Sequence, residues 1–133
     1  MLVRRSARAD IEAYGSSLLG RRRLQIDDLT TQHIALAYAA EDPWITGVLS
    51  TVSRYLGATL ASIHLSLGIE RFFVVGGFAV ALGSRFCDAI AQNAQAHCWN
   101  LGQHWHTMVT LAADDLLALR GAGVAADFEV KSR

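Results

Sequence analysis

Apolar positions recur at helical spacing along most of the chain. From Asp10 to Arg22, Ile11, Tyr14, Leu18 and Leu19 fall on one side of a predicted helix. It ends near Gly20 in the cationic run Arg21-Arg22-Arg23, which suits a helix C-terminus better than a phosphate clamp. A second helix, about Asp28 to Ala40, carries Leu29, His33, Leu36 and Ala37 on one face. The third pattern is the clearest. Asp42 is placed to cap a helix, Pro43 fits its first position and Gly68 fits its end. Between them Ile45, Val48, Leu49, Val52, Leu56, Leu60, Ile63 and Leu67 keep the spacing. The other faces hold Gly47, Ser50, Gly57, Ala58, Ala61 and Ser62, with Arg54 the helix's one formal charge. A surface helix has a charged back, so this one is expected to be covered on more than one side.

The periodicity then changes. Phe72 to Val75 is a short all-apolar run, the pattern of a strand buried on both faces of a parallel sheet. Gly76 and Gly77 make the turn after it, and Gly83 to Cys98 predicts a fourth helix. Trp105 to Leu111 alternates and reads as a second strand, and Asp114 to Leu119 begins a last helix. Residues 1–9 and 124–133 read as loose tails. The expectation is one α/β domain over residues 1–133, helix-rich, with about five helices and two parallel strands. A stable sheet needs three or more strands.

Composition narrows the setting. Twelve basic and 12 acidic residues in 133 give no net charge to draw the chain to nucleic acid or an anionic membrane. Hydrophobic residues make up 52% and charged ones 18%, but the apolar charge-free runs Pro43 to Ser53, Tyr55 to Ile69 and Phe72 to Ser84 are each shorter than the ~20 residues of a membrane span. "MLVRRSARAD" has arginines without an apolar core behind them, so a signal peptide is not expected. Cys87 and Cys98 suit reduced thiols in a cytoplasmic setting. Surplus apolar surface points to burial against another protein.

The candidate chemistry is sparse. Two glycines after a buried strand clear side chains from a ligand's path, and the following helix offers unpaired N–H groups to phosphate. The same pair also makes a plain tight turn, and two glycines fall short of a full nucleotide fingerprint. On a strand, His104 and His106 would share a face, with Cys98 nearby, but this spacing matches no common zinc pattern. His33 and His64 read as packed helix histidines. No Gly-x-Ser-x-Gly elbow, Walker loop, His-Glu-x-x-His run or basic DNA-reading helix occurs.

The order of three segments carries more. "DIEAYGSS" (10–17), "DPWITGVLSTVSRYLGATLASIHLSLGIERFFVVGGFAVALGSRF" (42–86) and "MVTLAADDLLALRGAG" (108–123) resemble the C-terminal half of the ROK family of ATP-dependent sugar kinases and sugar-responsive repressors. The resemblance implies part of an actin-like, ribonuclease-H-like ATPase lobe. It implies that Glu12 hydrogen-bonds sugar hydroxyls, a task that suits a carboxylate able to accept from two hydroxyls at once. The plain alternative for Glu12 is a first-turn helix acid. Gly76 and Gly77 match the first two glycines of the family's nucleotide-binding turn, and Asp114 and Asp115 match its Asp-Asp pair.

The departures matter as much. The family's three zinc cysteines fall on Val3, Arg5 and Asp10, so zinc is not expected. Phe78 replaces the third glycine and would fill part of the adenosine pocket, and Ala113 replaces the glycine before Asp114. The family's phosphate loops and catalytic aspartate precede the cysteine run, and phosphoryl transfer needs both a base and a metal-phosphate clamp. The resemblance therefore implies no catalytic residue here. It implies half of a split or degenerate kinase for a sugar or sugar-like cyclitol, binding ATP and magnesium only with a partner chain that brings the catalytic half. The alternative is a non-enzymatic dimerisation or regulatory module of the same fold.

Overall fold

Capping residues decide where most of the helices begin. A computed structural model describes residues 2–99 and 102–112. Residues 2 to 9, read above as a loose tail, instead form helix α1 (Leu2–Ala9). Val3 and Ala7 are buried in the core, Arg4 donates to the Leu29 carbonyl at 3.0 Å, and Arg8 pairs with Asp27. The arginines hid this packing, because they read as a charged leader while only every fourth residue faces inward.

The helix expected over 10–22 is broken in two, α2 (Ile11–Ser16) and α3 (Leu18–Arg21). Asp10 caps the first, accepting from the Ala13 N–H at 2.9 Å. Ser17 is extended (ψ 165°), and its hydroxyl caps the second through the Gly20 N–H. The break turns Ile11 out to solvent while Tyr14 and Leu19 stay buried. A 3₁₀ turn over Ile26–Asp28 precedes α4 (Thr31–Ala39), which starts three residues later than Asp28 because Thr30 and His33 form a reciprocal capping box. The buried face of α4 is Ile34, Ala37 and Tyr38, and Leu36 lies outside.

Helix α5 (Pro43–Leu67) has the expected bounds, with Asp42 as cap, Pro43 at its start and Gly68 in the left-handed conformation at φ 67°. Its buried stripe follows the expected row at Ile45 and Leu49 and then runs through Ser53, Gly57 and Ala61 at steps of four. Val48, Val52 and Leu60 are half-buried against the core, whereas Leu56 and Leu67 are exposed. Small residues win because α7 (Ser84–His97) packs directly on them. A Cβ on Gly57 would stand 2.6 Å from the Ala94 nitrogen.

After α5 come β1 (Phe72–Val74), α6 (Gly77–Leu82), α7, α8 (Trp105–Met108) and β2 (Val109–Leu111). The strands are parallel, with Phe72 opposite Val109 and Val74 opposite Leu111. Two expectations change here. Trp105 to Met108 is helical rather than strand, which sets Trp105 fully in the core against Phe72 (ring centroids 6.1 Å). Phe73 is 56% exposed, so β1 is not covered on both faces by the described residues. The described residues make a helix-rich α/β fold of eight helices and two parallel strands. The count exceeds five because Ser17 divides one expected helix, and α1, α6 and α8 are helices where the sequence pattern predicts a tail, a stretch after the glycine turn and a strand. The helix expected from Asp114, with Ala113 and Asp115, lies outside the described residues.

Candidate functional site

Helices α5 and α7 run side by side in the same direction, since Gly57 meets Ala94 and Ala61 meets Cys98 four residues further on. The chain leaves the carboxyl end of β1 through Gly76, passes along α6 and enters the first turn of α7. Helix α6 packs on α4, and Arg85 in the first turn of α7 reaches Tyr38 at the end of α4. The glycine turn and the starts of α5 and α7 therefore share one end of the fold. That end is the one where α/β sheets collect ligands.

The two glycines differ. Gly76 has φ 102°, a conformation side chains rarely adopt, so the turn itself requires glycine there. Gly77 has no such constraint, and a Cβ built on it meets nothing within 4 Å. Nothing in the described fold needs a glycine at 77, and the surface above it is open. Phe78 is half-buried against the core, so its ring packs at the base of the turn.

Glu12 lies in the first turn of α2, exposed and without an ion pair among the described residues. Its segment is tied to the start of α5. The Leu18 N–H donates to Asp42 Oδ2 at 2.6 Å, while Asp42 Oδ1 accepts from the Ile45 N–H at 2.9 Å. Tyr14 also meets Trp44 edge-on at 5.2 Å. The structure thus brings the Glu12 segment to the end of α5 that neighbours the α7 start, with Asp42 as the link. No hydrogen bond or ion pair joins Glu12 to the glycine turn among the described residues.

The positions that the resemblance aligns with zinc cysteines have other occupations. Val3 is 2% exposed in the core, and Asp10 caps α2. The alternative group of Cys98, His104 and His106 is dispersed. Cys98 Sγ lies 4.0 Å from the Ala61 carbonyl, and His106 faces Asp88 at 3.6 Å. Among the described residues no three potential metal ligands gather. His33 caps α4, and His64 packs edge-on against Trp105 at 5.4 Å.

One feature is not visible in the sequence pattern, a polar cleft of about 470 Å³ between the first half of α5 and the α7 segment from Arg85 to Asn93. Thr46, Ser50 and Ser53 line one wall and Asp88, Gln92 and Asn93 the other, with Tyr38 and Arg85 at the mouth. Arg85 stands over the Tyr38 ring at 4.6 Å, donates to its carbonyl at 3.1 Å and pairs with Glu41 at 3.4 Å. Burial pushes the Tyr38 phenol above its ordinary 10.0, with Arg85 opposing and Asp88 adding to the rise. The Cys87 thiol is pushed up from 9.0 by burial and then by Asp88. A larger, open cleft of about 630 Å³ lies on the exposed side of the sheet, lined by Phe73, Thr110, His64, Glu70, Arg71 and His104 among others. Glu12, Gly76 and Gly77 line neither cleft. The residues that make the α5–α7 cleft carry no distinctive signal in the sequence, because α5 has hydroxyls at 51, 59, 62 and 66 as well as at 46, 50 and 53.

No protein-family model matches the chain, and no solved structure matches it. It is similar to C(7)-cyclitol 7-kinase from Streptomyces hygroscopicus subsp. limoneus, with 29% identity over 116 residues, 85% of this chain and 33% of the kinase. The same values hold for C(7)-cyclitol 7-kinase of S. hygroscopicus subsp. jinggangensis (strain 5008). The chain spans about a third of the length of these curated relatives. No described helix is long and apolar enough to cross a membrane. The comparison supports a distant, kinase-like and sugar-related relationship.

Proposed function

We propose that this chain supplies the polyol- and nucleotide-facing surface of a ROK-type phosphotransferase acting on a sugar or cyclitol. A second polypeptide provides the catalytic half. The observation that carries this reading is the similarity to cyclitol kinases over 85% of the chain. It is supported by a glycine turn whose second member, Gly77, answers no demand of the fold among the described residues. In this reading Gly76 and Gly77 back the nucleotide, Phe78 limits the adenosine pocket, and Glu12 accepts from two polyol hydroxyls. The partner brings the base and the metal-phosphate clamp, without which phosphoryl transfer does not proceed. ATP and magnesium bind only in that complex, in the cytoplasm, and zinc takes no part.

A second reading rests on a separate observation. Tyr55, Leu56, Leu65 and Leu67 are large apolar residues of α5 left exposed among the described residues, which favours a non-enzymatic dimerisation module of the same fold.

The test is phosphate transfer from labelled ATP to hexoses and cyclitols. The chain is assayed alone and together with the first two-thirds of the Streptomyces cyclitol kinase. The expected result is no transfer alone and transfer by the mixture. Glu12→Gln then lowers kcat/KM by roughly ten- to a hundredfold, the cost of a lost charged acceptor. Transfer by the chain alone contradicts the need for a partner, and an inactive mixture of folded, associated chains favours the dimerisation module.

A further inference from the structure

The cleft between α5 and α7 has an unusual lining for a helix–helix contact. Where the helices touch, at Gly57 and Ala94, they are too close for a methyl group. Toward their first turns they part, and the gap is walled by hydroxyls and amides instead of the branched apolar residues that normally fill such a space. Its floor is Leu49 and Ser53, each 1% exposed.

The hydrogen-bonding capacity of this lining is only partly used within the chain. Ser53 Oγ donates to the Ser50 carbonyl at 3.0 Å and accepts from Asn93 Nδ2 at 3.4 Å, while Asn93 Nδ2 also donates to the Ala89 carbonyl at 2.7 Å, which leaves Asn93 its Oδ1 as an acceptor. Thr46 Oγ1 is buried and has no partner among the described residues. A buried hydroxyl without a partner marks a place where a ligand or an ordered water completes the network. Opposite it, Gln92 adds an exposed amide that can both donate and accept.

The same residues exclude other ligand classes. A nucleobase needs an open aromatic or apolar face, but Tyr38 is 5% exposed and its ring lies under Arg85. A phosphate needs a free cation, but Arg85 is engaged by the Tyr38 carbonyl and by Glu41. The nearby Asp88 carboxylate repels anions and accepts from hydroxyls. What remains is a small, neutral molecule rich in hydroxyl groups, and 470 Å³ lies within the usual range for a small-molecule site.

We infer that the α5–α7 cleft is a binding site for a neutral polyol or cyclitol, separate from the surface around Glu12. The inference rests on the cleft's own chemistry, and the kinase reading contributes only the choice of probe. Thr46 and Ser50 would serve the ligand from α5, with Gln92 and Asn93 from α7.

The test is a titration of the ¹⁵N-labelled full chain with myo-inositol, followed by NMR, with ATP·Mg as a second arm. Myo-inositol is expected to shift the Thr46 and Ser50 amides and the Gln92 and Asn93 side-chain amides along one saturable curve. Ser50→Leu and Gln92→Ala, both at exposed positions, should each weaken binding by about fivefold or more while the rest of the spectrum is retained. Shifts confined to the Glu12 segment would overturn the cleft site and leave the kinase reading intact. Shifts in the cleft by ATP·Mg alone, or none by myo-inositol up to its solubility, would also overturn it. Failure of phosphate transfer in the mixed assay bears on the kinase reading and not on this titration.

Discussion

Gly57 and Ala94 bring α5 and α7 so close that a Cβ on Gly57 would lie 2.6 Å from the Ala94 backbone nitrogen. Backbone cannot step aside as a flexible side-chain end does, so a methyl group there must push the helices apart. Gly57→Ala is expected to destabilise the chain by roughly 1–3 kcal/mol, the usual cost of overpacking. Gly47→Ala is the control, because a Cβ at that exposed helical position meets nothing within 4 Å. It should stabilise by about 0.5–1 kcal/mol. Urea denaturation of the two variants checks the pair, and equal shifts would contradict the close packing.

Asp42 is expected to be the costliest single polar residue to lose. Its two oxygens hold the first turn of α5 and the start of α3 together, and its residue is 5% exposed. Asp42→Ala removes a helix cap and leaves the Leu18 N–H short of a partner, for about 2–3 kcal/mol in total. Asp42→Asn should recover part of that, since one amide oxygen still caps. Thermal denaturation by circular dichroism checks the order, and an Ala variant as stable as the Asn variant would contradict it.

This link also shows what was legible in the sequence. The bounds of α5 could be read because cap, proline and terminal glycine are local signals lying within one or two residues of each end. The contact from Leu18 to Asp42 spans 24 residues and leaves no local trace. Ser17 was hidden because a serine inside an apolar repeat looks like the polar face of one continuous helix. The four residues of α8 are too few to establish a helical period, so Trp105 to Leu111 looked like a strand. The small face of α5 was visible, but that Gly57 and Ala61 are its packed side follows only from the position of α7. The turn at Gly76 and Gly77 was legible as a turn. Whether glycine served the fold or a ligand was not, because that depends on what surrounds each Cβ.

Stability is expected to fall in alkali. Burial raises the Cys87 and Cys98 thiols above 9.0 and the Tyr14 and Tyr38 phenols above 10.0. The unfolded chain therefore releases these protons first, and in that range the native state holds more protons than the unfolded one. The unfolding free energy then decreases as pH rises. The full contribution is present below pH 9.0, and loss begins above it, through 10.0 and on to the raised native values. Urea midpoints measured from about pH 8 to 11 should decline, with Tyr14→Phe reducing the slope. A flat or rising midpoint across that range would contradict it.

Assembly should depend on the exposed apolar surface. The Val74 carbonyl accepts from the Ala112 N–H at 3.0 Å, so Val74 faces β2. Phe73 and Val75 then turn their backbone groups to the outer edge of β1, and both side chains are exposed. Phe73→Lys and Leu65→Arg are expected to convert an oligomer or hetero-complex to smaller species at micromolar concentration without loss of helix content. Ala61 is unsuitable for this purpose, because at 1% exposure it belongs to the α5–α7 packing. Light scattering that shows a well-folded wild-type monomer would contradict the expectation.

The most direct measurement of the proposed function is steady-state kinetics of the chain mixed with the first two-thirds of the Streptomyces cyclitol kinase, comparing Gly77→Val with Glu12→Gln. Neither position is needed by the described fold, since a Cβ on Gly77 meets nothing within 4 Å and Glu12 is exposed without an ion pair among the described residues. Both variants should therefore keep the wild-type melting temperature. The account predicts that Gly77→Val raises KM for ATP and spares the polyol, while Glu12→Gln raises KM for the polyol and spares ATP. Unchanged kinetics in both variants, or phosphate transfer by the 133-residue chain on its own, would contradict it.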